Sequence, residues 1–182
     1  MKYTIRRAAE KEAEQIIALI REVYEGMNDR SLFAYDGEDA DWLRQQMKAG
    51  GYAVVAEPDA VEAMNRPEGR IAAAGLVRFP KDDDEDLGRD VGLAEEQLAA
   101  VSYMEFAVVH PEHRGNHLEY EMICFAEQQP EAKLRPYMLA TVSPANGASL
   151  HSLQKAGFRI GCTKEKYGGK LRHIMIYHRI KK

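Results

Sequence analysis

The chain has 182 residues, 45% of them hydrophobic, and a formal net charge of −4 at pH 7. This is enough apolar material to build the core of one domain over residues 1–182, and too little length for two domains of ordinary size. The acidic balance argues against the basic face that nucleic-acid binding requires, and no run of 18 apolar residues is present to cross a bilayer.

The N-terminal segment MKYTIRRAAEKEAEQ lacks the apolar stretch of a signal peptide. Cys124 and Cys162 are not in a metal-type spacing, so two free thiols in a reducing cytoplasm are expected. None of the six His pairs with Cys or another His at a ligand spacing on one helix, so no structural metal is expected.

In chain order, Tyr3–Ile5 reads as a short strand. Glu10 to about Tyr24 reads as a helix, because Ala13, Ile16, Ile17, Ile20, Val23 and Tyr24 repeat at three and four. Met27–Gly37 is a loop or broken helix, and Asp39–Met47 is a short helix carrying Trp42. Gly51–Glu57 and Gly69–Phe79 are apolar runs that form an antiparallel pair. An acidic run, Asp82–Asp86, follows, then a weakly helical stretch. Val101–His110 is the next strand; alternation puts Tyr103, Glu105, Ala107 and Val109 on one face and Met104, Phe106 and Val108 on the other. Leu118, Met122, Phe125 and Ala126 stripe the helix that follows, until Pro130 stops it. Tyr137–Val142 is a strand, about Ala145–Ala156 a helix, and Phe158–Lys164 and Leu171–Ile180 are strands joined around Tyr167-Gly168-Gly169. The order β-α-α-β-β-β-α-β-α-β-β describes an α/β fold: one mixed sheet with helices on both faces.

Two stretches carry chemistry. In VVHPEHRGNHLEYEMI, Val108–Ile123, a strand ends at Val109, Pro111 stops it, and a turn through Arg114-Gly115-Asn116 feeds a helix from about His117. The first amides of a helix lack internal partners and lie at the positive end of its dipole, so a diphosphate can settle there. PANGASLHSLQKAGF, Pro144–Phe158, is a second strand-to-helix junction, ending in a Gly-Phe stop.

In this order, the two stretches resemble the GNAT superfamily of N-acyltransferases over nearly the whole chain. LGRDVGL (Leu87–Leu93) and YGGKLR (Tyr167–Arg172) are similar to a bacterial branch of it. The resemblance implies a mostly antiparallel central sheet whose fourth and fifth strands splay apart. It also implies acetyl-CoA as cosubstrate, bound by backbone amides in an R/Q-x-x-G-x-G/A loop. Here that loop is Arg114-Gly115-Asn116-His117-Leu118-Glu119, with His117 and Glu119 in place of the later Gly and Gly/Ala. His117 either contacts phosphate or swings to solvent. Glu119 is expected to point outward, because a carboxylate beside a diphosphate is repulsive.

Glu105 is the candidate general base, since an amine nucleophile must lose a proton before attacking a thioester; the alternative is a strand Glu paired with a cation or facing solvent. The resemblance also implies that Ala107, Val108 and Val109 hold the pantetheine arm, with Val109 acting through its freed peptide groups and Leu139 and Thr141 near the opposite lip. Asn146 and Ser149 lie beside the cofactor arms in the family pattern, while ordinary capping by Asn146, or by Ser143 before Pro144, explains the same residues. Where many members carry a thiolate-protonating Tyr, this chain has Leu153; Tyr120 and Tyr137 are conceivable substitutes.

The acidic run Asp82–Asp86 is either a lip attracting a cationic acceptor or a solvated loop. Phe33, Tyr35 and Trp42 either wall the acceptor site or pack in the core, and Arg6, Arg7, Lys81, Arg159 and Lys164 are scattered without pattern. The implied activity is acetyl transfer to a small-molecule or peptide amine by direct attack in a ternary complex. The rival is a CoA-binding regulatory or interaction module on the same fold. No nucleic acid or membrane partner is implied, and a homodimer stays open.

Overall fold

The structure, a computed structural model, describes residues 2–59, 71–80 and 86–179. Asp82, Asp83, Asp84 and Glu85 of the acidic run lie outside these residues, as do Lys81, the first residues of the Gly69 strand and Ile180.

Seven strands of the described residues form one sheet: β1 (Tyr3–Arg7), β2 (Tyr52–Pro58), β3 (Ala73–Arg78), β4 (Val101–Val109), β5 (Tyr137–Val142), β6 (Arg159–Lys166) and β7 (Lys170–His178). Their spatial order is β1-β2-β3-β4-β5-β7-β6, and every neighbouring pair is antiparallel except β4 with β5. Among the described residues, seven α-helices accompany it: α1 (Ala13–Glu25), α2 (Ala40–Lys48), α3 (Leu87–Asp90), α4 (Glu95–Leu98), α5 (Leu118–Glu127), α6 (Pro130–Lys133) and α7 (Gly147–Lys155). Pro130 does end α5, but it also opens α6, since proline suits the first position of a helix.

The two faces of the sheet have separate cores. On one, α1 and α2 bury Ile16, Ile20, Val23 and Leu43 against Val55, Leu76, Phe106 and Val108. On the other, α5 and α7 bury Leu118, Met122, Ile123 and Leu153 against Val54, Val77, Met104 and Met175. The stripe read from α1 is therefore its buried face.

Met104 departs from simple alternation. Leu76 pairs with Phe106 but the next residue, Val77, pairs with Met104, so Glu105 is an extra residue bulging from β4. A bulge breaks the two-residue period. Met104 thus packs with Ala107 and Val109 on the α5/α7 face, not with Phe106 and Val108.

The parallel pair is short. β4 and β5 pair only at Val101–Tyr137, Ser102–Met138 and Tyr103–Leu139. Beyond Tyr103 the strands diverge and a slot opens between them, as the family resemblance implies. Leu139 is the last rung below the slot, so the β5 lip is formed by Ala140, Thr141 and Val142.

Candidate active site

The slot widens into a cavity of about 670 Å³. Its walls come from the end of β4, the loop into α5, the first turns of α5 and α7, the end of β5, the segment between α1 and α2, and Arg172 of β7. It brings together Glu105, Ala107, Val108, Val109, Arg114, Gly115, His117, Leu118, Glu119, Asn146 and Ser149.

On β4, the His110 amide donates to the Ala72 carbonyl at 2.9 Å, in register with the pairing of Val109 and Ala73. Peptide groups alternate between the two edges of a strand. Val108 therefore turns its N–H and C=O toward β3, whereas those of Val109 and Ala107 face the slot. This divides the three strand residues expected at the pantetheine arm: Ala107 and Val109 offer backbone groups, and Val108 only its side chain.

The loop after β4 forms a cradle. Pro111–His113 is one 3-10 turn, and the side chain of Asn116 folds back, donating to the carbonyls of His113 at 3.0 Å and Arg114 at 3.3 Å. Asn116 thereby holds the loop shape with its side chain. Gly115 has φ +80°, and a Cβ there would meet nothing within 4 Å, so space stays open over the backbone. His117 is the N-cap of α5, at φ 58° in the left-handed region, with no side-chain cap. The first-turn amides of α5 are thus left for an anion. Arg114 and His117 are both exposed at the rim, while Leu118 is buried beneath it.

Glu119 does not point outward. Its Oε1 accepts from the Ser149 hydroxyl of α7 at 2.6 Å, closing the seam between α5 and α7. Burial pushes its carboxyl above the ordinary range, opposed by the hydroxyls of Ser149 and Ser152. Burial thereby weakens the charge whose repulsion of a diphosphate was the reason to expect Glu119 outside, while the Ser149 hydroxyl gives the inward carboxyl a partner. Ser149 is thereby assigned a partner within the protein. Asn146 caps α7, accepting from the Ser149 amide at 3.2 Å, and the helix begins at Gly147. Ser143, the other cap candidate, accepts instead from the Ala145 amide at 3.3 Å, in a turn before the helix.

Glu105 faces the cavity from its bulge, and its Oε2 accepts from Arg78 Nε at 2.5 Å. The pairing with a cation and the place in the site, weighed as alternatives, occur together. Leu153 is 3% exposed in the α5/α7 core and reaches the cavity wall. Neither substitute acid stands there: the Tyr137 ring stacks on His178 and its hydroxyl accepts from Gln97 at 2.6 Å, while Tyr120 lies under Lys155 outside the cavity lining. Phe33 lines the cavity, whereas Tyr35 and Trp42 pack against the α1/α2 core.

Three further residues of the site and its frame have little local signal in the sequence. His110 and His113, 4% and 1% exposed, sit with Glu112 so that their ligand-type atoms lie within 4.8 Å of one another. Their rings are engaged elsewhere: His110 Nε2 pairs with Glu22 at 2.9 Å, and His113 Nδ1 with the Tyr3 hydroxyl at 3.0 Å. They anchor the end of β4 to α1 and β1. The third is Arg172, buried in the cavity wall; its only sequence signal was its place in the YGGKLR segment.

No protein-family model matches the sequence, and no curated protein matches it. Solved structures do. An acetyltransferase of the GNAT family from Streptococcus pneumoniae superposes over 98% of this chain and 100% of its own, with TM-score 0.69 at 17% identity. YncA from Salmonella typhimurium, solved with its cofactor acetyl-CoA, matches over 99% of this chain and 95% of its own, with TM-score 0.70 at 16% identity. Ribosomal-protein-alanine N-acetyltransferase from Brucella melitensis matches over 97% and 99%, with TM-score 0.67 at 17% identity. With its mostly antiparallel sheet, its single parallel pair and the slot between the members of that pair, this chain has the GNAT fold.

Proposed function

We propose that the protein is a cytoplasmic N-acetyltransferase that moves an acetyl group from acetyl-CoA to a primary amine by direct attack in a ternary complex. The observation that carries this reading is the slot between β4 and β5, which ends at an uncapped helix N-terminus with open backbone. An extended pantetheine arm fits such a slot by adding hydrogen bonds to a strand edge. A diphosphate fits the helix terminus without needing a lysine.

In this reading, the amides of Gly115 to Glu119 hold the diphosphate, with Arg114 and His117 at its rim. Ala107 and Val109 hold the pantetheine arm through their peptide groups, against Thr141 and Val142. Bound acetyl-CoA supplies a thioester acyl group. Glu105 accepts the proton that the amine must lose, directly or through a water. Neither cysteine lines the cavity, so the acyl group passes to the amine without an intermediate on sulfur. The acetyl carbon–sulfur bond breaks as the carbon–nitrogen bond forms, giving amide and free thiol. A thiol pKa near 8.5 lets thiolate depart without a dedicated acid. This suits a site with Leu153 in place of a tyrosine. No helix among the described residues is long and apolar enough to cross a membrane.

One observation favours the rival, a CoA-binding module without chemistry: the carboxylate of Glu105 is already engaged by Arg78. The two readings separate in one experiment. Calorimetric titration with acetyl-CoA is followed by release of free thiol across a panel of amines. Binding with thiol release supports the transferase, binding without release for any amine supports the module, and no binding at millimolar concentration removes both.

A further inference from the structure

Arg172 is 3% exposed and lines the cavity. Its Nη2 donates to the Ser31 carbonyl at 2.7 Å, in the segment between α1 and α2, and its Nη1 to the Leu171 carbonyl at 3.1 Å. Among the described residues it has no carboxylate partner, unlike Arg78 and Arg179, which pair with Glu105 and Glu127. Burial works against its charge, yet a guanidinium does not deprotonate in a protein. A fixed positive charge thus sits in the wall of a cavity, held by two carbonyl dipoles and favoured by Tyr167, with no carboxylate on it among the described residues. Such a group is costly unless something in the functional cycle pairs with it.

Asp29 and, at the rim, Arg114 also line this cavity, but the charge on β4 beside the slot is the carboxylate of Glu105. A ligand complementary to both Arg172 and Glu105 has an anion at one end and a cation at the other. We infer that the acceptor is a zwitterion of the amino-acid class, its carboxylate on Arg172 and its amino group toward Glu105 and the slot. This inference rests on the transferase reading for the fate of that amino group, but not for the binding of the carboxylate.

Two features point to a carboxylate on the acceptor and not to a phosphate of CoA. Arg172 bonds the α1–α2 segment, whereas the diphosphate cradle belongs to α5, which packs on the other face of the sheet. A singly charged anion balances one guanidinium, while a dianion leaves a charge in excess. The planar fork of arginine also matches a carboxylate in two parallel bonds.

Binding is read first, by calorimetry or saturation-transfer NMR on the protein alone. The ligands are common amino acids, their decarboxylated amines as matched pairs, and phosphoethanolamine. The expected result is that at least one amino acid binds and its decarboxylated partner binds about 100-fold more weakly, because the guanidinium is then left unpaired. Arg172→Met should abolish that preference, and Arg172→Lys should keep part of it. If Arg172→Met does not fold, the matched pairs on the unaltered protein decide alone.

Equal binding within every pair, no binding of any amino acid, or a preference for phosphoethanolamine each overturns the inference. Thiol release from acetyl-CoA is measured separately. Amino-acid binding without turnover removes the transferase reading and leaves the carboxylate site. Turnover of amines with no preference for a carboxylate does the reverse.

Discussion

Glu105→Gln separates the proposed chemistry from architecture, because Glu105 lines the cavity and also pairs with Arg78. The amide is nearly isosteric, and its oxygen can still accept from Arg78 Nε, so the bulge and the pairing of β4 with β3 should persist. What is lost is the negative charge beside Arg78. The two side chains are 15% and 25% exposed, between a solvated pair and a sealed one. A stability loss of about 1 kcal/mol is expected, the upper end for a screened pair. In a domain of this size that lowers the melting temperature by roughly 2–4 °C. The effect on turnover is of another order. Loss of a general base slows reaction by roughly 10²–10⁴-fold, equivalent to about 2.7–5.4 kcal/mol in the barrier. Acetyl-CoA affinity should stay within about twofold, since the cradle amides lie beyond Pro111. The assays are thermal unfolding, calorimetric titration with acetyl-CoA, and thiol release with a saturating acceptor. Turnover within threefold of the unaltered protein would rule out Glu105 as the base and give the proton to water or another group. A tenfold loss of cofactor affinity would instead assign Glu105 to the shape of the strand.

Two further outcomes follow from the cradle and its seam. Gly115→Val places a β-branched residue at φ +80° where nothing obstructs the side chain, so backbone strain of about 1–3 kcal/mol acts on the loop; calorimetry should show acetyl-CoA binding at least tenfold weaker. Glu119 is raised by burial above the ordinary 4.5, so the folded state holds a proton that the unfolded chain releases. Its contribution to stability is complete below the unfolded value and is lost as pH rises through the folded one. Glu119→Gln should therefore gain stability relative to the unaltered protein as pH rises from 4.5 toward 8, as read by urea unfolding. An unchanged difference across that range would mean that Glu119 is not raised.

Local patterns carried much of the architecture. The stripe of α1, the apolar run of β4 stopped by Pro111 and the Arg-Gly turn into α5 all lie within a few residues of the groups that determine them. The capping role of Asn146 is local as well, although Ser143 before Pro144 offered an equally good start to the helix until Ala145 was seen to bond the Ser143 hydroxyl. The bulge at Glu105 was not legible, because it depends on how β3 aligns across Leu76 and Val77, and that moved Met104 to the other face. Glu119 was misread for the same kind of reason: its partner, Ser149, comes from α7, 30 residues away. Arg172 owes its burial to the segment around Ser31, 141 residues earlier. Arginine in a strand next to exposed Leu171 gives no hint of that.

In the proposed function, acetyl-CoA lies along the β4 edge with its diphosphate on the start of α5. Backbone amide NMR during titration with acetyl-CoA tests it most directly. Amide shifts concentrated at Ala107, Val109 and Gly115 to Glu119, with those of β1 and the outer strand β6 unmoved, are the predicted result. Saturable binding that leaves the amides of Gly115 to Glu119 unshifted, or no binding at millimolar acetyl-CoA, would contradict it.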